Sequence, residues 1–382
     1  MMPRSRMLIV GFVAFSMIGL ISCWPAETDD AIVLRKSWAG YLHTFVQEGR
    51  VVRPRNGFDT VSEGQAYAMI RAVTASDRTS FDAILLWTEK NLSRRELHGD
   101  NLLAWHYADG RVVDWQAASD ADIDYAYSLL LAARKWGDPS YARLGRQVLA
   151  DILRMETITY EGRLRLLPWN RKPTDGKGYV VQNPSYYSPA QFKLFFGETG
   201  DGRWLELAAT GYDLLDRLQE PAGGGAFLVP DWCRIGEGGD LRELEGYSSL
   251  YGWDALRVPM RIALDHALFH EPRAARVLGR FAEFYTSEFK RFGHVHSVYS
   301  TGGRSVVYDE NPLSYAAAYA ALEASGSPLA ETAYRRLQRF SHQKKGHIYY
   351  LDRKDYYANS LSWLPSYYRL LLNSENSSLQ DR

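Results

Sequence analysis

The chain has 382 residues, and 45 Lys and Arg balance 45 Asp and Glu for a formal charge of +0. That balance argues against a broad nucleic-acid surface, which draws its affinity from cations set against phosphates, and 46% hydrophobic with 24% charged residues is globular composition, not disorder. Two cysteines exclude a disulfide framework and a Cys-rich zinc site, whereas 25 Tyr and 11 Trp suit a groove that stacks on flat, hydroxylated ligands.

In chain order, Arg4 and Arg6 precede an apolar run from Met7 to Ile21, then Ser22-Cys23. A basic start, about fifteen apolar residues and a small residue before the break describe an export signal, and the run is shorter than the roughly 20 residues of a spanning helix. Leu20-Ile21-Ser22-Cys23 is similar to a bacterial lipobox, in which the cysteine becomes the lipidated first residue. The expectation is a lipoprotein-type signal peptide over 1–22, lipidation of Cys23, a tether over 23–34 and residence at the periplasmic face of a bacterial envelope. An ordinary signal peptide with an incidental cysteine, releasing a soluble periplasmic or secreted protein, is the other reading. With Cys23 acylated, Cys233 is left as an unpaired packing thiol.

Helical periodicity fills the remainder, predicting one domain over 35–373 and a polar tail over 374–382. The predicted helices are 31–47, 62–75, 79–91, 119–136, 139–153, 188–197, 201–218, 252–268, 272–290, 312–324, 327–342 and 355–373, twelve in all. They alternate in kind. The segment 139–153 puts Leu144, Val148, Leu149 and Ile152 on one face, whereas its predecessor is apolar nearly all round through Ile123, Ala126 and Leu129 to Ala132. The same contrast separates 62–75 from 79–91 and 312–324 from 327–342. Six enclosed helices alternating with six amphipathic ones describe an all-α (α/α)6 barrel, a toroid with an inner ring covered by an outer one.

If every second helix is inner, all inner helices run the same way and their N-termini meet at one rim. Ser62-Glu63-Gly64-Gln65, Ser119-Asp120-Ala121-Asp122, Asn183-Pro184-Ser185-Tyr186, Tyr251-Gly252-Trp253-Asp254, Asp309-Glu310-Asn311 and Asp355-Tyr356-Tyr357 stand there. Two carboxylates facing each other across a sugar are the minimal kit for glycoside hydrolysis. Glu63 is the candidate acid, with Gly64 leaving room for close substrate approach; helix capping is the competing reading. A helix N-terminus lowers a carboxyl pKa, so desolvation and a second carboxylate must outweigh it. Asp120 is expected to be ionised by the helix terminus and to bond sugar hydroxyls, while Asp122 reads as a cap. Asp254 sits among Tyr251, Trp253, Leu256 and Val258, and Arg257 three residues on supplies the counter-charge for a group that takes a proton from water, or else a structural ion pair. The nine His form no H-E-x-x-H pair and His294 and His296 beside Gly293 read as loop residues, so no catalytic metal or other cofactor is expected. Gly223-Gly224-Gly225 lacks the context of a phosphate cradle, and no Gly-x-Ser-x-Gly marks an esterase.

Ala118-Ser119-Asp120-Ala121-Asp122-Ile123-Asp124-Tyr125-Ala126-Tyr127-Ser128-Leu129-Leu130-Leu131-Ala132, ending at Trp136, resembles the signature of glycoside hydrolase family 8, with Tyr125 where the pattern has Ile or Met. Val61-Ser62-Glu63-Gly64-Gln65, Asn183-Pro184-Ser185-Tyr186 and Asp254-Ala255-Leu256-Arg257 resemble its other blocks in order. Gly49-Arg50-Val51-Val52, Pro230-Asp231-Trp232 and the stretch from Ala75-Ser76-Asp77-Arg78 to Trp87-Thr88 look most like the periplasmic endoglucanases of bacterial cellulose-synthesis operons. The resemblance implies an (α/α)6 barrel and inverting endo-hydrolysis of β-1,4-linked glucan, xylan or chitosan, together with an association with exopolysaccharide synthesis machinery. It implies Glu63 as general acid, Asp254 as general base and Asp120 as the residue that binds and distorts the central sugar. Tyr186 and Arg257 look like partners of the base and its water, Trp105 like a stacking platform, and Trp115, Trp169 and Tyr356 like further groove residues. Neutral charge and many aromatic rings favour an uncharged β-glucan over cationic chitosan. A binding-only lipoprotein of an export system and a polysaccharide lyase using Tyr186 and Arg257 are the alternatives.

Overall fold

Apolar helices that no single neighbour can cover must be enclosed, and here they close into a ring. The computed structural model describes residues 29–172, 174–220 and 226–380, with side chains through 372. The predicted signal peptide, Cys23 and Gly223-Gly224-Gly225 lie outside the described residues. The helices are α1 (Asp29–Phe45), α2 (Ser62–Thr74), α3 (Arg78–Asn91), a single turn α4 (Arg95–His98), α5 (Ser119–Trp136), α6 (Pro139–Met155) and α7 (Pro189–Thr199). There follow α8 (Arg203–Leu218), α9 (Arg257–Phe269), α10 (Pro272–Phe292), α11 (Pro312–Ala324), α12 (Leu329–Gln338), α13 (Tyr356–Leu361) and α14 (Leu364–Gln380).

Contacts run from α2 to α5, α7, α9, α11, α13 and back to α2, so the inner ring closes. α11 shows why it is inner: Leu313 through Leu322 are buried without a break. Each Leu or Tyr sunk in this way contributes roughly 1.5–3 kcal/mol of burial. The outer helices α1, α3, α6, α8, α10 and α12 bury one face each; α6 covers Tyr141, Gly145, Val148, Leu149 and Ile152 and leaves Arg143 and Gln147 in solvent. A small cavity of about 90 Å³ lies on the axis, lined by Tyr67, Asp124, Tyr127, Gln191, Arg257 and Arg261 among others. This is the (α/α)6 barrel.

The elements differ from expectation where local chemistry intervenes. α1 starts at Asp29, so part of the expected tether is helical; Asp29 and Asp30 lie in its first turn, where acidic side chains are favoured, and Asp30 accepts from Arg369 at 3.0 Å. The helix expected at 252–268 begins only at Arg257, because Asp254 and Ala255 direct their N–H groups at Asp231. The helix expected at 355–373 is broken between Leu361 and Leu364, since Pro365 has no N–H for Leu361 and fits only in the first turn of a new helix. That new helix then continues through the expected polar tail to Gln380. Where helix was expected to 342, α12 stops at Gln338 and a hairpin pairs Ser341–Lys344 with His347–Tyr350. Its Lys345-Gly346 loop has both residues at positive φ, the turn that matches strand twist. Asp109-Gly110 and Glu161-Gly162 do the same between His106–Ala108 and Arg111–Asp114 and between Thr157–Tyr160 and Arg163–Leu166. Cys233 is buried in the strand Cys233–Gly236, and burial pushes its thiol up to about 12, consistent with packing.

Candidate active site

The functional side chains stand at or just before the starts of inner helices. Thr60-Val61 pairs with His106-Tyr107, and extended Val61 leads into α2 with no side-chain cap. The Ser62 N–H donates to the Trp105 carbonyl at 3.0 Å. Glu63, at the next position, accepts from Arg257 Nη1 at 3.2 Å and from the Tyr356 hydroxyl at 3.4 Å. Gly64 does not open a path for substrate: a Cβ there would lie 2.7 Å from the Tyr356 hydroxyl, so the missing side chain admits that phenol.

Arg257, the first residue of α9, joins the acidic groups. Its Nη1 donates to Asp120 at 2.8 Å and to the Tyr67 hydroxyl at 3.1 Å as well as to Glu63; its Nη2 donates to Asp254 at 3.1 Å and to Ser185 at 2.9 Å. The Tyr186 ring lies 5.3 Å from the guanidinium, close enough for a cation–π contact. Asn183 donates to the other oxygen of Asp254 at 3.0 Å. The Asp254 turn is pinned from behind by Asp231, which accepts the N–H groups of Asp254 at 2.9 Å and Ala255 at 2.8 Å and the Ser248 hydroxyl at 2.7 Å. Gly252 is required here, because a Cβ would stand 2.5 Å from Asp231 Oδ2.

Exposure sorts the three acids. The side chains of Glu63 and Asp254 keep 22% and 30% of their surface open, while Asp120 keeps 4%. An open pocket of about 610 Å³ reaches Glu63 and Asp254 and is lined also by Arg53, Arg55, Trp253, Tyr356 and Tyr357. Burial pushes the Glu63 carboxyl up to about 7; Arg257 opposes the shift, and the charges of Asp120 and Asp254 reinforce it. Asp120 departs from the expectation that the helix terminus governs it: burial raises its pKa, with Arg257 and Arg261 pulling the other way. Asp122 is no cap either. It accepts the Leu103 N–H at 2.9 Å, and its second oxygen and the Glu156 carboxyl have no other donor among the described residues than each other, a hydrogen bond that needs a proton on the pair. The two carboxyl groups face each other in the core, and burial pushes Asp122 up to about 8 and Glu156 well above its ordinary value.

Of the aromatic candidates, Trp105 is half-buried beside the start of α2 and packs at 4.7 Å on His106. Trp115 is half-buried four residues before α5, against His98 at 5.4 Å. Trp169 stacks at 6.3 Å on Trp232, which in turn meets the Tyr186 edge at 5.8 Å. Sequence reasoning missed Asp231 as the brace of Asp254, Asn183 as a donor to Asp254, Ser185 as an acceptor for Arg257, and Trp253, which is 44% exposed in the pocket wall. Aromatic residue and carboxylate were adjacent in sequence at 253–254, which was the available signal for Trp253.

A family profile described as "Glycosyl hydrolases family 8" matches residues 10–369. The chain is 33% identical over 295 residues to an endoglucanase of Escherichia coli strain K12, covering 74% of this chain and 73% of that protein. It is 29% identical over 317 residues to Endoglucanase A of Acetivibrio thermocellus, covering 81% of this chain and 62% of that relative, so it spans less than two thirds of the latter. A crystal structure of endo-1,4-D-glucanase from Vibrio fischeri ES114 superposes with a TM-score of 0.74 at 27% identity, over 87% of this chain and 94% of that one.

Proposed function

The chain belongs to glycosyl hydrolases family 8, and from that premise we propose that it is an endo-acting β-1,4-glucanase working with inversion at the anomeric carbon. Glu63 is the general acid: its carboxyl, near pKa 7, still carries a proton in mildly acidic to neutral solution and gives it to the glycosidic oxygen as the C–O bond breaks. Asp254 is the base: it takes a proton from the water that attacks the anomeric carbon from the opposite face. Arg257 and Asn183 orient the base, and Asp120 acts beneath both through the same guanidinium.

The observation that carries this reading is Arg257 itself. One guanidinium holds Glu63 by Nη1 and Asp254 by Nη2, so the two open carboxyl groups are separated by the fork and two bonds of 3.2 and 3.1 Å. That is within reach of the about 6.5–9.5 Å that an inverting pair leaves for water. Uncharged β-glucan is the proposed substrate, with Trp105, Trp253 and the Trp169–Trp232 stack as apolar faces for sugar rings. Both open carboxyl groups and a raised acid are unnecessary for the binding-only alternative. We further propose export, acylation at Cys23 and work alongside exopolysaccharide synthesis.

NMR of the first product decides the stereochemistry: the expected result on a β-linked substrate is a fresh α-anomer, and a fresh β-anomer overturns it. Glu63→Gln is expected to lose ~10²–10⁴-fold in kcat while still binding oligosaccharide, and Asp254→Asn likewise.

A further inference from the structure

The loop between α10 and α11 carries two histidines that the reaction does not use. His294 and His296 bring their Nε2 atoms to 3.2 Å from each other, with the rings nearly perpendicular at 85° and their centroids only 4.8 Å apart. The rings are thus bent toward a shared point and do not lie end to end. Each Nδ1 atom is anchored elsewhere. That of His294 is 2.9 Å from the Phe292 carbonyl, which can only accept, so this nitrogen holds the proton and leaves Nε2 with its lone pair. That of His296 is 2.8 Å from the Ser305 hydroxyl and 3.5 Å from the Glu288 carboxylate.

We propose that His294 and His296 form a two-histidine site for a borderline divalent transition metal, zinc or copper(II), held through their Nε2 atoms. Two nitrogens at about 2.0–2.1 Å from one tetrahedral zinc stand about 3.3 Å apart, so the observed spacing needs almost no rearrangement. Metal-binding imidazoles commonly donate the other ring N–H to an oxygen acceptor; His294 gives its proton to the Phe292 carbonyl, and His296 has the Ser305 hydroxyl as acceptor at 2.8 Å, with the Glu288 carboxylate further off at 3.5 Å. Among the described residues no group of three or more His, Cys, Asp or Glu surrounds such an ion, so water completes the sphere. The charges nearby are Glu288 and, through Gly293, Arg336, which is paired with Glu310.

The site is tied to the rim of the barrel. The Tyr299 hydroxyl accepts the His296 backbone N–H at 2.6 Å and donates to Glu288 at 2.9 Å, and the Tyr299 backbone pairs with Tyr251, three residues before Asp254. An ion here fastens the loop behind the base without touching the reacting atoms. Isothermal titration of tag-free protein with zinc sulfate, and separately copper(II) chloride, tests this. The expected result is one equivalent per chain, a zinc-dependent rise in Tm, and copper EPR with nitrogen coupling from two imidazoles. His294→Ala, at the less buried position, is expected to weaken binding by about tenfold or more and to cancel the rise in Tm while the metal-free fold, read by circular dichroism, is unchanged. Absence of binding in the wild type, leaving the histidines as a plain N–H···N pair, or unaltered binding in His294→Ala, overturns the proposal.

Discussion

Arg257 makes three acidic side chains a single electrostatic unit. Its desolvated charge partly offsets those of Asp120, Asp254 and Glu63; the raised pKa of Glu63 comes first from burial, with the neighbouring carboxylates adding to it and Arg257 opposing it. Because the acid must be protonated, the rate is expected to fall as pH climbs through about 7, and a kcat/KM profile measures that limb. A midpoint near the ordinary Glu value in this profile removes Glu63 from the role of acid. Asp231 is a positioning residue for Asp254. Asp231→Ala frees two N–H groups and lets the Asp254 turn drift, and a shift of about 1 Å costs on the order of 10²-fold. The loss is expected in kcat with KM little changed and the anomeric outcome retained; a change confined to KM contradicts the assignment.

Between elements, the Asp122–Glu156 pair ties α5 to the residue that follows α6, and it does so with carboxyl groups that must hold protons. Both folded-state pKa values lie above the unfolded ones near about 4, so the folded chain binds more protons than the unfolded chain as pH rises. The stability linked to those protons is full below the unfolded pKa and is lost as pH climbs through about 8. Glu156→Gln keeps the shape without the charge, so its Tm is expected to decline less between pH 6 and pH 9 than that of the wild type. Parallel Tm curves show instead that the pair is not titrating. The sequence made α5 legible to the residue, because an apolar helix with a clear start and Gly137 after its end obeys local rules. α9 was misjudged because its start is decided by Asp231, more than twenty residues away, and no local pattern reports that contact. The hairpins were legible in principle: residue-Gly pairs at 109–110, 161–162 and 345–346 are turn signals that helical periodicity overshadowed. Likewise Glu63 and Asp254 were visible as acids at helix starts, but the arginine that couples them bridges 194 residues to reach Glu63.

At the scale of the molecule, the barrel has two unlike ends. Inner helices begin at the rim that carries Glu63, and α1, in the outer ring, runs the other way: its last residue, Phe45, meets Tyr356 at 6.2 Å, while Asp30 at its start bonds Tyr334 and Arg369. Seventeen helical residues separate these ends by about 25 Å. Cys23→Ala is expected to move the protein from the membrane fraction to the soluble one, and a wild type already wholly soluble refutes acylation. An attachment ahead of Asp29 would reach the molecule at the base of a cup, the end opposite its opening. A lipid bilayer at that base would leave the catalytic rim about one helix length above the surface. A glucan strand could then lie across the opening parallel to the membrane and be cut at an interior bond, without its ends having to thread past the anchor.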